Sequence, residues 1–401
     1  MFWRFIVALL CAATLLLGQN PTLEHAWDLA ANGRRDEAIQ VAQKVVERNP
    51  QDVDARLLLG SLLVEKGDRI ESIAQLVEAV RLRPESAEAQ NALGEAYRTF
   101  GDAKAALAPF QKAVAIKPAF GIAQENLGAV MLETGNLVGA AAHLDRAIQL
   151  LGHTDDAADA HYLRAKVYSA HSEVHKAAEQ LEQAVSIRPD FPEAWSDLGD
   201  ARRVLLDAPG SIAALQRAVQ LKPAGAVAQY RLGAEYLRQE KVHLAVEHLE
   251  AAYRINPDDQ STLNSLQTAL REDGQMERAA TIKRKLVELL RKRDEVNQNI
   301  LKAIQLNNEG AALQKQGNLA AALQKYRDAL NLNPKHVGIR VNYAVALLRL
   351  GRWTEGLTEL HDALLRDPGD AQIRTALNDA LRQAPPGSIP QWSDVPVTAG
   401  K

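Results

Sequence analysis

Residues 54–84 read DARLLLGSLLVEKGDRIESIAQLVEAVRLRP. Apolar side chains recur three and four apart in two stretches, with Lys66-Gly67-Asp68 between them. That pattern predicts helix, tight turn, helix. Pro84 ends the segment, because proline cannot prolong a helix and biases the residue before it towards extended backbone. The same punctuation recurs outward in both directions. Pro50, Pro84 and Pro118 are 34 residues apart, as are Pro189, Pro223 and Pro257, and again Pro334 and Pro368. The two remaining intervals are 71 and 77 residues, two periods plus three and plus nine. A fixed period of this length means one supersecondary unit copied end to end.

Counting back from each proline places the other parts. Glycine stands 24 residues earlier at Gly60, Gly94, Gly128, Gly199, Gly233 and Gly310. A mid-helix glycine costs about 1 kcal/mol against alanine, so six copies need a compensating gain. Close backbone approach at interior packing density supplies one. Alanine stands 12 earlier at Ala38, Ala106, Ala140, Ala177, Ala245 and Ala322, and five earlier from Ala79 to Ala363. A second glycine, at Gly67, Gly101, Gly135, Gly274, Gly317 and Gly351, falls where a left-handed residue would close the first helix.

With Trp195-Ser-Asp-Leu-Gly199, and with Gln90-Asn-Ala-Leu-Gly94-Glu-Ala-Tyr97 followed by Ala106, Phe110, Ala113 and Pro118, the unit resembles the tetratricopeptide repeat. The likeness extends over almost the whole chain beyond residue 18. It implies an all-α, right-handed α-solenoid, a superhelix of about ten helix-turn-helix repeats. It also implies a concave groove, lined by the first helix of each pair, that takes a peptide or protein partner.

Ten units can be phased: 19–52, 53–86, 87–120, 121–154, 158–191, 192–225, 226–259, 260–293, 303–336 and 337–370. Three extra residues near His153-Thr-Asp-Asp156 are expected to lengthen one loop. The eighth unit is degenerate, with Gln267 in place of the packing glycine and Arg291 in place of the proline. After it, residues 294–302 form an insertion without Gly or Pro, read as an extension of the second helix. A capping helix is expected over 371–383, and a disordered tail over the Pro-rich 384–401.

The amino terminus differs in kind. Met1-Phe-Trp-Arg4 carries one basic side chain, and Phe5 to Leu17 is apolar except for Thr14. The run is short of the roughly 20 residues of a spanning helix and suits a secretory signal over 1–18. A retained amino-terminal anchor stays open beside it, because Leu16 sits poorly at a cleavage site. The expected location is therefore exported, periplasmic or secreted, or anchored in a membrane. Cys11, the only cysteine, lies inside this run, which excludes disulfides and thiol catalysis in the remainder.

Bulk charge selects no partner. A net charge of −3 gives no general attraction to nucleic acid or anionic lipid. Lys283, Arg284, Lys285, Arg291, Lys292 and Arg293 interleave with Glu288, Asp294 and Glu295, as on a solvated helix face. No nucleotide-binding, zinc-protease, hydrolase-elbow or calcium-loop motif occurs. His171 and His175 fall about a turn, and His243 and His248 point in different directions, so no metal or other cofactor is expected. Once repeats, leader and tail are subtracted, nothing remains to house a catalytic domain.

What remains is the wall. By repeat phase the first helices of units five to seven present Tyr162, Lys166, Ser196, Asp200, Arg203, Tyr230, Ala234 and Arg238. Tyrosine and arginine dominate binding hot spots, so Tyr162 and Tyr230 are candidates to clamp an extended ligand, with Arg203 and Arg238 meeting its acidic groups and Lys166 a further candidate contact. Asn126, Asn308 and Asn342 share one phase and suit hydrogen bonds to a ligand backbone. Compared with the family's sugar-transferring members, the asparagine ladder is interrupted by Leu58, Ala92, Leu163 and Arg231. The carboxylate clamp of its co-chaperone members is missing too. The sequence therefore points to a non-catalytic interaction scaffold or adaptor. The alternative is an accessory or regulatory subunit of a cell-envelope enzyme or export complex.

Overall fold

A computed structural model describes residues 21–367, 369–390 and 392; the leader over 1–18 and the last residues of the tail lie outside that range. Among the described residues there are twenty α-helices and no strand. In chain order they begin α1 Pro21–Ala31, α2 Arg35–Arg48, α3 Val53–Lys66, α4 Arg69–Leu82, α5 Ala87–Thr99 and α6 Ala103–Ile116. There follow α7 Gly121–Glu133, α8 Leu137–Leu151, α9 Asp155–Ala170, α10 Val174–Ile187, α11 Pro192–Val204, α12 Ala208–Leu221 and α13 Ala226–Arg238. The rest are α14 Val242–Ile255, α15 Gln260–Glu272, α16 Met276–Lys315, α17 Leu319–Leu332, α18 Val337–Arg349, α19 Trp353–Arg366 and α20 Ala371–Gln383. The chain divides into two compact bodies, one ending at Ala279 and one beginning at Ala280.

Local chemistry sets the helix boundaries. Asp52 accepts from the Ala55 amide at 3.0 Å, Asp68 from Glu71 at 3.1 Å and Ser86 from Ala89 at 3.1 Å. Each cap satisfies one of the orphan amides at a helix start and contributes about 1 kcal/mol. Between the helices of a pair, Gly67 takes φ 85° and Gly135 φ 84°, so the turn is left-handed as the repeat phase predicts. At the far end the residue before each proline leaves the helix uniformly: Arg83 has φ −134° and ψ 77°, Lys117 −131° and 83°, Lys222 −136° and 80°. The pre-proline restriction explains that uniformity.

The mid-helix glycines sit where a side chain from the second helix of the same unit comes in. A Cβ on Gly128 would stand 2.6 Å from Leu144, and one on Gly94 2.6 Å from the Phe110 ring. The incoming residue is always sixteen later: Leu76, Phe110, Leu144, Leu215, Leu249 and Tyr326. These are among the largest fully buried side chains of the molecule. The repeated alanines are buried as well, and they let the next unit nest. Leu76 and Ala79 of α4 share a core with Ala89, Ala92, Leu93 and Ala96 of α5, and Leu181, Ala184 and Val185 of α10 share one with Ala194, Leu198 and Ala201 of α11. No pair buries its apolar faces alone, so neighbouring units complete each other's core.

Three expectations need correction. The extra residues near His153 do not lengthen a loop; they lengthen a helix. Gly152 ends α8 with φ 63°, and α9 starts at Asp155 and runs 16 residues, against 13 for α7 and α11. Asp155 and Asp156 occupy its first turn, where negative charge favours the helix start. The insertion at 294–302 extends more than the second helix of unit eight. That helix, the insertion and the first helix of unit nine are one 40-residue helix, α16, because no Gly or Pro stands between Met276 and Glu309, where a break between the two helices would fall. The described residues of the tail are not detached: the Trp392 indole stacks on His361 at 4.5 Å and packs against the core shared by α18, α19 and α20, while Thr354 donates to the Ser388 carbonyl. An apolar aromatic among the prolines supplies the burial that composition alone did not reveal.

Candidate functional site

Side chains on consecutive first helices are hydrogen-bonded to one another, so these helices stand side by side as a wall. Asp197 on α11 is the best example. It accepts from Arg231 Nη1 of α13 at 2.6 Å and lies near the Tyr162 hydroxyl of α9, and Arg231 also reaches Ser196 Oγ at 2.9 Å. One carboxylate thus faces side chains from three successive units. Burial, and then the nearby Asp197 charge, push the Tyr162 hydroxyl well above the usual phenol range. Further along, Asn126 Nδ2 of α7 donates to Asn91 Oδ1 of α5 at 3.1 Å and to Glu95 Oε1 at 2.9 Å. In the second body Asn342 Nδ2 of α18 donates to Asn307 Oδ1 at 2.9 Å.

The residues singled out from the sequence divide on this wall. Tyr162 is half-buried, its ring 4.9 Å from Phe191 and capped by Lys166 Nζ at 5.0 Å. Those two therefore act together. Arg203 is bound to Asp200 at 2.8 Å and Arg238 to Glu235 at 2.7 Å, each three residues away on its own helix. A ligand's carboxylate would share these arginines with their own helix. Tyr230 is half-buried on α13 and takes no part in the Asp197 junction. Asn126 is 4% exposed and fully engaged with its neighbours, whereas Asn308 is exposed and Asn342 is half-buried. The shared phase of the three asparagines does not give them one environment.

A set of contacts was missed from the sequence. The fourth residue of a unit reaches back to the carbonyl of the preceding proline: Gln124 to Pro118 at 3.0 Å, Gln229 to Pro223 at 2.9 Å, Trp195 to Pro189 at 2.9 Å and Arg56 to Pro50 at 2.8 Å. The same residue holds the second helix of its own unit nineteen positions on. His143 Nδ1 donates to Gln124 Oε1 at 2.7 Å and His248 Nδ1 to Gln229 Oε1 at 2.8 Å, and His161 with Gln180 makes the pair in reverse. Burial lowers the His143 and His248 imidazoles from their usual range. These histidines are structural. The signal was available in Gln90, Gln124 and Gln229 sharing one phase.

A second ladder joins the two ends of a unit. Arg83 pairs with Asp54 at 3.2 Å, Lys117 with Glu88 at 3.0 Å, Lys222 with Glu193 at 2.9 Å and Arg188 with Asp159 at 2.9 and 2.5 Å. Only the last is substantially buried, with Asp159 at 6% and Arg188 at 17% exposure, and its guanidinium lies 3.9 Å above Phe191. On α16 the basic stretch is paired within the helix, Lys292 to Glu288 at 2.7 Å and Arg291 to Glu295 at 3.6 Å. Among the described residues, no group of three acidic, imidazole or thiol side chains is placed to hold a metal ion, and no helix is long and apolar enough to cross a membrane.

Known proteins agree with this architecture. Tetratricopeptide repeat models match residues 23–69, 57–119 and 162–226, a second such model residues 226–259, and a third residues 313–380. The chain belongs to the tetratricopeptide repeat family. It is 30% identical over 121 residues to the small glutamine-rich tetratricopeptide repeat-containing protein beta of Homo sapiens, covering 30% of this chain and 37% of that protein. It is 22% identical over 219 residues to anaphase-promoting complex subunit CDC16 of Saccharomyces cerevisiae, covering 54% of this chain and 26% of that one. The chain thus spans well under half the length of these two relatives. Among solved structures, PilF of Pseudomonas aeruginosa aligns with 54% of this chain and 98% of its own at 18% identity and a TM-score of 0.49. YrrB aligns with 47% and 96% at 20% identity and a TM-score of 0.40.

Proposed function

We propose that this chain is a non-catalytic scaffold that holds a peptide or protein partner along the wall of its first helices. The observation that carries this reading is the Asp197 junction. Arg231 ties α13 to Asp197 of α11, and Asp197 lies near the Tyr162 hydroxyl of α9, which supports one continuous surface on which Tyr162, Lys166 and Tyr230 are at least partly exposed. Preorganised aromatic and basic side chains on a rigid support are what extended-segment recognition needs. A narrower role, as accessory or regulatory subunit of a cell-envelope enzyme or export complex, uses the same wall and requires that complex to be the partner. The composition of residues 1–18 supports export or membrane retention, which fractionation of the native cells tests.

Tyr230→Ala tests the wall, since this tyrosine stands outside the bonds that hold the helices together. Affinity capture from the native source by the wild-type chain identifies the partner. Affinity for that partner should then fall about ten-fold in the variant, the loss expected of a hot-spot tyrosine, with the melting curve unchanged. Undiminished affinity would reject the wall as the binding surface.

A further inference from the structure

We infer that two copies of this chain pair antiparallel through α16, along a seam that runs from Lys283 to Asn308. The whole seam lies in the second body. Its opening follows from the fused helix. Elsewhere in the array a second helix is covered by the first helix of the next unit, which returns antiparallel after a short loop. Val185 of α10, for example, is 6% exposed in the core that it shares with Ala194 and Leu198 of α11. The residue in this phase is apolar or aromatic in every unit, and buried or half-buried in all but one. The one is Val287 of unit eight, at 56% exposure. The first helix of unit nine continues α16 away from Val287 and so cannot fold back to cover it. From Val287 the open face proceeds in alternate steps of three and four residues through Leu290, Asp294, Asn297, Leu301 and Ile304. That is the heptad spacing of a helix-pairing seam. Leu301 is 68% and Ile304 40% exposed, Asp294 and Asn297 are exposed, and Leu290 is half-buried. A row of uncovered apolar side chains on one face marks an association surface.

The order of these residues selects a second copy as the occupant, because the row complements itself when reversed. A two-fold axis between residues 295 and 296 sets Leu290 against Leu301 of the second copy, Val287 against Ile304 and Asp294 against Asn297. Each apolar side chain meets an apolar one, and the Asn297 amide is placed to donate to the Asp294 carboxylate. A polar layer of this kind fixes the register of paired helices. At each end Lys283 comes opposite Asn308, and on one flank the exposed Arg284 and Arg291 come opposite Gln305 and Gln298. A parallel pair would instead set Lys283 against Lys283 and Asp294 against Asp294, and such like-charge layers disfavour it. From Lys283 to Asn308 the seam is about 38 Å long, within the roughly three to four heptads that sustain a helix pair.

Sedimentation velocity of the full chain over a micromolar dilution series tests the pairing, and cysteine cross-linking tests its direction. The wild-type chain should sediment as a dimer that dissociates on dilution. Leu301→Lys brings a charge into the seam twice, once from each copy, and should raise the dissociation constant about 100-fold or more. Its circular dichroism should match the wild type, because Leu301 is exposed. Cys11 is the only cysteine of the chain, so Cys11→Ser gives a clean background. In that background, Val287→Cys chains mixed with Ile304→Cys chains should form the mixed disulfide dimer on mild oxidation, and neither variant alone should cross-link to itself. A monomer at every concentration, a dimer unmoved by Leu301→Lys, or self-cross-linking of either cysteine variant would overturn the inference. So would a chain that is monomeric alone and binds a different protein through Val287 and Leu301, since that assigns the seam to another occupant. None of these readouts involves a partner on the wall, so the scaffold reading is decided separately.

Discussion

Leu206 stands where Gly67, Gly101 and Gly135 turn the chain, and it shares their left-handed backbone, with φ 63°. Ser172 and Glu240 do the same in their units, at 61° and 56°. A side chain in this region costs about 1–2 kcal/mol relative to glycine, and Leu206, 90% exposed, recovers none of it by packing. Leu206→Gly should therefore raise the stability of the array by about 1 kcal/mol, read from the denaturant midpoint. A lowered midpoint would mean that the turn depends on the leucine. Glycine and proline made the turns and boundaries legible, because they answer to backbone geometry that any copy of the unit must reproduce. Glu95 and Asp197, the partners of Asn126 and Arg231, were not legible. Their importance depends on what the neighbouring helix offers, and one unit read alone does not contain that helix.

At the level of elements, first and second helices are joined by pairs whose strength follows burial. Asp159→Asn leaves Arg188 without its carboxylate in a mostly buried position and should cost about 3 kcal/mol. Asp54→Asn breaks the equivalent pair with Arg83, where both groups are about half exposed. There the cost should be about 0.5 kcal/mol or less. Equal losses in the two variants would show that position in the repeat, and not burial, decides the contribution. The histidine pairs add a pH dependence of definite sign. The folded-state pKa values of His143 and His248 lie below the unfolded value, so their stabilising contribution is present above about pH 6.5. It is lost as pH falls towards the lowered values. Between pH 7.5 and 5 the melting temperature of His143→Gln/His248→Gln should accordingly fall less than that of the wild type. Identical slopes would contradict this role. The helix pairs were legible from spacing, but the fate of the insertions was not. Three residues extended α9 and nine fused two helices into α16, since acidic first turns and the lack of breakers favour helix over loop.

On the scale of the whole molecule, the period and its small residues specify a repeat array, and that part of the reading came directly from the sequence. Each copy's Gly receives a large side chain from its own second helix, and each copy's Ala admits the next unit. The wall was legible as a surface, through repeat phase, but not as a network, because Asn126 is buried in bonds to Asn91 and Glu95, and Tyr162 packs on Phe191 beside Asp197. Hydrogen–deuterium exchange of the full chain, alone and saturated with its captured partner, tests this account most directly. Protection should concentrate in the first helices 155–170, 192–204 and 226–238, with the second helices 174–187, 208–221 and 242–255 unchanged. Protection confined to the second helices would contradict it.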